Sequence, residues 1–137
     1  MDRISDWSHE AVLVAEPVSA SSVRDFIRLH LVEHDLRYLE EDIRLVASEL
    51  ATNAMVHART PFTVTLSASG GTVLLAVRDD STSVPVKAVP QAMDMSGRGL
   101  LLVEQLSREW GTNTDGDGSK SVWASFATRT GPAPEST

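Results

Sequence analysis

The clearest signal along the chain is the strict alternation of "FTVTLSA" (62–68). Phe62, Val64, Leu66 and Ala68 fall on one face, with hydroxyl side chains between them, as in a half-buried strand. Gly70-Gly71 then signals a hairpin turn, and "TVLLAVRDD" (72–80) is a mostly apolar strand that ends in two acids. Upstream, "EAVLVAE" (10–16) reads as a short strand. Pro17 and the serines after it open a helix, on which Val23, Phe26, Ile27, His30 and Leu31 share one face. A second helix spans 39–57, with Ile43, Val46, Ala47, Leu50 and Ala54 as its core stripe; Pro61 follows its end.

Residues 81–96 contain two prolines and no period, and predict an irregular lid. Loops of that length in a small domain are usually functional. "GRGLLLVEQLS" (97–107) opens with glycines and becomes helical, "DGDGS" (115–119) is a turn, and "KSVWASFAT" (120–128) is the last strand. The order β-α-α-β-β-loop-α-β-β predicts an α+β fold: a two-layer sandwich with helices on one face of a mixed, mainly antiparallel sheet. The expected domain covers 10–128, between a flexible N-terminus (1–9) and a disordered tail (129–137).

Composition narrows the function classes. At 137 residues the chain is the size of one domain, and 42% hydrophobic residues suffice for a core. The net charge of −7 repels a phosphate backbone, so no direct nucleic-acid partner is expected, whereas a basic protein surface suits it. Cysteine is absent, which removes disulfides and thiolate chemistry and suits a cytoplasmic protein. No apolar run is long enough to span a membrane, and "MDRISDWSHE" has no signal pattern. The four histidines show no metal-ligand spacing, so no zinc site is predicted, and His57 reads as a packed histidine. Trp110 and Trp123 read as core or edge packing, and Glu40-Glu41-Asp42 as acids that favour a helix N-terminus.

Three short stretches carry candidate chemistry. In "SELATNAMVHA" (48–58), Glu49 and Asn53 are four apart, on one flank of the second helix. They read either as solvated polar residues beside the core stripe or as the edge of a site. In the second case a carboxylate accepts a proton and a carboxamide oxygen suits Mg²⁺. Asp79 continues the inward face of Val73, Leu75 and Val77, while Asp80 points the other way. A carboxylate placed inward needs a partner, and a ligand amine would serve. Gly97 and Gly99 let backbone N–H groups approach an anion at a helix start. Arg98, between them, reads equally as a phosphate contact or as a solvated side chain. The spacing fits neither a P-loop nor a dinucleotide fingerprint.

Taken together, the order Glu-x-x-x-Asn, strand-end Asp, loop, Gly-x-Gly resembles the Bergerat ATP-binding fold of gyrase, heat-shock chaperone and histidine kinase catalytic domains. It is most similar to the stand-alone anti-sigma factor serine/threonine kinases of Gram-positive bacteria. "SELATNAMVHA" resembles their N box, "VRDDS" their adenine box, "GRGLLLVEQLSREWG" their second glycine box and "SKSVWASF" their closing strand. The chain departs from the pattern at Ser81, where related chains often have Gly, and at Ser119 and Ser121, in a segment that often reads Gly-Lys-Thr.

The resemblance implies ATP and Mg²⁺ as cofactors. It implies Glu49 as the catalytic base, Asn53 as the Mg²⁺ ligand, and Asn53, Asp79, Ser81, Gly97, Arg98, Gly99, Leu100 and Ser121 as the ATP-binding residues. It also implies a sigma factor and a small STAS-type antagonist protein as partners, and a homodimer. The activity so implied is phosphorylation of a Ser or Thr of the antagonist. The alternative is a non-catalytic ATP-binding module that regulates by partner exchange. A role in a histidine phospho-relay is disfavoured, since no dimerisation helix with a phospho-accepting His is present.

Overall fold

The computed structural model describes residues 6–57, 60–79, 98–114 and 118–129. The elements are β1 (Trp7–Leu13), α1 (Val18–Glu33), a 3-10 turn (Arg37–Leu39), α2 (Glu40–His57), β2 (Phe62–Ser69), β3 (Thr72–Asp79), α3 (Arg98–Leu106), β4 (Glu109–Thr114) and β5 (Lys120–Ala127). The predicted lid (81–96) lies outside the described residues. β1 starts at Trp7, so the expected domain boundary at residue 10 falls inside a strand. The alternation Trp7, His9, Ala11, Leu13 begins earlier than the apolar run "AVLVA" on which the expectation rested.

The five strands form one sheet in the order β1-β2-β3-β5-β4. Every described pairing is antiparallel, a correction to the mixed sheet expected from the element order. The physical reason lies in the last hairpin. β3 and β4 run the same way, joined by a segment that contains α3, but β5 inserts between them and pairs antiparallel with both. Together, the helices and sheet make an α+β sandwich.

The side facing the helices is the apolar phase of each strand. On β2 it is Phe62, Val64, Leu66 and Ala68, all buried, while Thr63, Thr65 and Ser67 are only half-buried. Opposite them in register stand Val73, Leu75 and Val77 of β3, and these in turn face Phe126, Ala124 and Val122 of β5. α1 contributes Val23, Ile27 and Leu31, one turn apart and fully buried; α2 contributes Ile43, Val46, Ala47, Leu50, Ala51 and Ala54. Each fully buried branched side chain stabilises the fold by about 1.5–3 kcal/mol relative to exposure, so this stripe holds the helices on the sheet.

Two local devices fix the helix ends. Pro17 is the N-cap residue of α1, and Ser19 donates its hydroxyl to the Val14 carbonyl at 2.7 Å. At the other end Asp35 adopts φ 61°, the left-handed conformation that closes a Schellman motif. The Leu36 N–H reaches the Leu31 carbonyl at 2.7 Å, the Asp35 N–H reaches that of Val32 at 3.1 Å, and both leucines are buried. α2 follows the short 3-10 turn, with Glu40 paired to Arg44 at 3.0 Å and approached by Arg28 at 3.8 Å.

On the outer sheet face, Trp123 lies across Gly111, its register partner on β4. A Cβ built on Gly111 would sit 2.9 Å from Cζ2 of that indole. Gly111→Ala should therefore push the ring aside and destabilise the protein by about 1–3 kcal/mol. The check is the midpoint of chemical denaturation; an unchanged midpoint would mean the indole has a second position of equal energy. Trp110, its neighbour in the chain, packs instead against the core.

Candidate nucleotide site

Asn53 and Glu49 sit on α2 where the helical period puts them, one turn apart on the flank of the buried stripe. Glu49 is half-buried. Asn53 is 9% exposed, and its Oδ1 is buried with no hydrogen-bond partner among the described residues. A buried carbonyl oxygen without a donor costs on the order of 1–3 kcal/mol. Such an atom next to a carboxylate is what a bound cation would satisfy, and its oxygen is the hard type that suits Mg²⁺. Solvated flank residues would show no such orphaned atom.

Asp79 is the last residue of β3 and only 5% exposed. It lies in phase with Val73, Leu75 and Val77, on the helix-facing side. Its register partner on β2 is Phe62, and residues 58–61 join Phe62 to the C-terminal end of α2. That short connection brings the end of α2 carrying Asn53 to the end of the sheet where Asp79 lies. Asp80, Ser81 and Gly97 lie outside the described residues.

α3 is the next element in the chain. It packs against α2 and leads into β4, whose first residue, Glu109, pairs with Ser125 of β5. Thr114, at the far end of β4, pairs with Lys120, which itself pairs with Asp79. From its first turn, α3 therefore carries the chain to the end of the sheet opposite Asp79. Arg98, Gly99 and Leu100 form that first turn, where the positive end of the helix dipole favours an anion.

Ser121 does not join this group. Alternation along β5 places Val122, Ala124 and Phe126 inward, so Ser121 lies on the outer face, opposite Arg78 in register. The β5 residue on the side of Asp79, and directly across from it, is Lys120. Sequence reasoning passed over it, although the alternation of "KSVWASF" already separates Lys120 from Ser121. Ser119 is buried and accepts hydrogen bonds from Arg78 Nε at 3.3 Å and Nη2 at 3.1 Å.

Away from this end, the structure brings together histidines whose spacing in the sequence predicted no metal site. His9 on β1 meets His30 and Glu33 on α1, with one potential ligand atom of each within 4.8 Å of the others. The spacing of His30 and His34, four apart on a helix, was visible in the sequence; the approach of His9 was not.

An antiparallel sheet covered on one face by helices, with a buried strand-end acid and a helix-borne Glu–Asn pair at one end, is the architecture of a histidine kinase-like ATPase. The chain belongs to that family: the family model for the histidine kinase-like ATPase domain matches residues 13–126. It is a nucleotide-binding fold. Among solved structures, the chain is similar to the RsbU and RsbW domains of Rv1364c from Mycobacterium tuberculosis, with a TM-score of 0.68 and 22% identity. The likeness covers 89% of this chain but 32% of that one, so the chain spans about a third of its length. No curated protein is a significant sequence match.

Proposed function

We propose that the protein is an ATP·Mg²⁺-dependent anti-sigma regulatory factor that phosphorylates a Ser or Thr of a small STAS-type antagonist and sequesters a sigma factor. The observation that carries this reading is the orphaned Oδ1 of buried Asn53 beside Glu49. Support for the kinase class comes from the histidine kinase-like ATPase family and from the fold shared with a solved chain that contains an RsbW domain. Cytoplasmic action and a homodimer belong to the same proposal. No helix among the described residues is long and apolar enough to cross a membrane.

In this reading Asn53 holds the metal through its carboxamide oxygen, and Asp79 accepts a hydrogen bond from the exocyclic amine of adenine. The first turn of α3, which holds Arg98, Gly99 and Leu100, would receive the phosphates, and the family resemblance assigns nucleotide contacts to Gly97 and Ser81 as well. Mg²⁺, when bound, supplies the charge that offsets the triphosphate. Glu49 takes the proton from the attacking hydroxyl. Phosphoryl transfer depends mainly on positioning and charge stabilisation, and one helix anchored by a buried stripe positions both residues.

The test is incubation of the purified protein with γ-labelled ATP and candidate antagonist proteins. Label on a Ser or Thr of one antagonist is the expected result. ATP binding without transfer to any of them would favour the partner-exchange module. Failure to bind ATP would overturn the reading.

A further inference from the structure

Three of the four histidines in the chain meet at one place, where the edge strand β1 passes under the C-terminal end of α1. His30 Nδ1 lies 2.8 Å from Glu33 Oε1, and His9 Nε2 lies 4.0 Å from the same carboxylate oxygen. His9 Nε2 is also 3.0 Å from His34 Nε2. The helix places His30, Glu33 and His34 on one face because they are three and four residues apart. The strand places His9 inward, in the phase of Trp7, Ala11 and Leu13.

We propose that His9, His30 and Glu33 form a binding site for a divalent transition-metal ion of the Zn²⁺ class, with His34 beside them to complete the fourth position. A tetrahedral ion with bonds of about 2.0–2.1 Å separates its ligand atoms by roughly 3.4 Å. The observed separations of 2.8, 3.0 and 4.0 Å bracket that value. Two or three imidazoles and one carboxylate are a donor set for Zn²⁺, Co²⁺ or Ni²⁺ rather than for Ca²⁺ or Mg²⁺. Two nitrogen atoms 3.0 Å apart need a proton between them, and an ion of this class replaces it.

Ionised Glu33 is acceptor-only, so His30 Nδ1 carries the proton of their hydrogen bond; on coordination this proton leaves or moves to Nε2. The rings of His9 and His30 stack at 3.8 Å, and Trp7 stacks on His34 at 3.9 Å. Converging the lone pairs of His9 and His30 on one ion tilts these rings out of the stack, a movement open to His9 at 28% exposure. The ion would fasten the edge strand β1 to α1.

The experiment uses protein without a histidine tag, after chelator treatment and dialysis. Co²⁺ is titrated and the visible absorption of a tetrahedral centre recorded; Zn²⁺ is then added in competition, with Tm measured in parallel. One Co²⁺ per chain, displacement by Zn²⁺ and a higher Tm with Zn²⁺ are expected. His30→Gln and Glu33→Gln should each weaken binding at least tenfold, whereas His57→Gln should leave it unchanged. Circular dichroism checks each variant. Lowering the pH from 7.5 to 5.5 should weaken binding as protons compete for the imidazoles. A wild type that shows no tetrahedral Co²⁺ spectrum and no Zn²⁺-dependent shift in Tm would overturn the proposal without recourse to any variant. So would binding that survives in His30→Gln and Glu33→Gln.

Discussion

Glu49→Ala should lower the rate of phosphoryl transfer to the antagonist by about 10²–10⁴-fold while ATP still binds within a few fold of wild type. Glu49 is half-buried on the flank of α2, one turn before Asn53, and the helix is held by Val46, Ala47, Leu50 and Ala51. Removing the carboxylate leaves that stripe untouched, so the fold and the metal ligand survive and only the proton acceptor is lost. Asn53→Ala should behave differently. It removes the oxygen proposed to hold the metal, so ATP·Mg²⁺ binding itself should weaken. Binding by isothermal titration and transfer with labelled ATP, both on one preparation, separate the two effects. Normal transfer by Glu49→Ala would remove the base assignment.

Asp79→Asn should weaken ATP binding at least about tenfold, which corresponds to roughly 1.4 kcal/mol. The carboxylate is 5% exposed at the end of a strand whose inward face is otherwise Val73, Leu75 and Val77. A hydrogen bond to the adenine amine made there is shielded from water, and a base without that amine forfeits it. The same variant should therefore narrow the preference for ATP over GTP. Asp80→Asn is the control and should matter far less. Equal losses from the two variants would show that Asp79 is not the residue that reads the base.

Much of this was legible in the sequence because the informative patterns are local. The alternation of Phe62, Val64, Leu66 and Ala68 recurs as the buried face of β2, and the stripe from Ile43 to Ala54 recurs on α2. The same reasoning put Asp79 inward. Asn53 and Glu49 were placed by helical period, though only the structure shows the orphaned oxygen that favours a site over a solvated flank. What escaped was non-local or required a choice of phase. The place of β5 inside the sheet depends on how a hairpin docks, and the assignment of Ser121 in place of Lys120 ignored the alternation of β5. The histidine cluster joins residues 9, 30 and 33, and no spacing rule connects a strand to the helix that covers it.

The insertion of β5 between β3 and β4 has a consequence for how the protein is made. Until residues 120–127 are available, β3 has a neighbour on one edge only, and β4 has none in the described sheet. A chain emerging from the ribosome can pair β1, β2 and β3, since they are neighbours in sequence order, with α1 and α2 between the first two. Two of the five strands, β4 and β5, must then wait for the end of synthesis. During that interval the apolar edge of β3 is open, the kind of exposed strand edge on which nascent chains aggregate. Contacts of long sequence separation also close late and slowly. Productive folding of this domain is therefore an event that follows synthesis of its final strand, and stalling or truncation before Lys120 leaves an unfinished sheet rather than a smaller stable one.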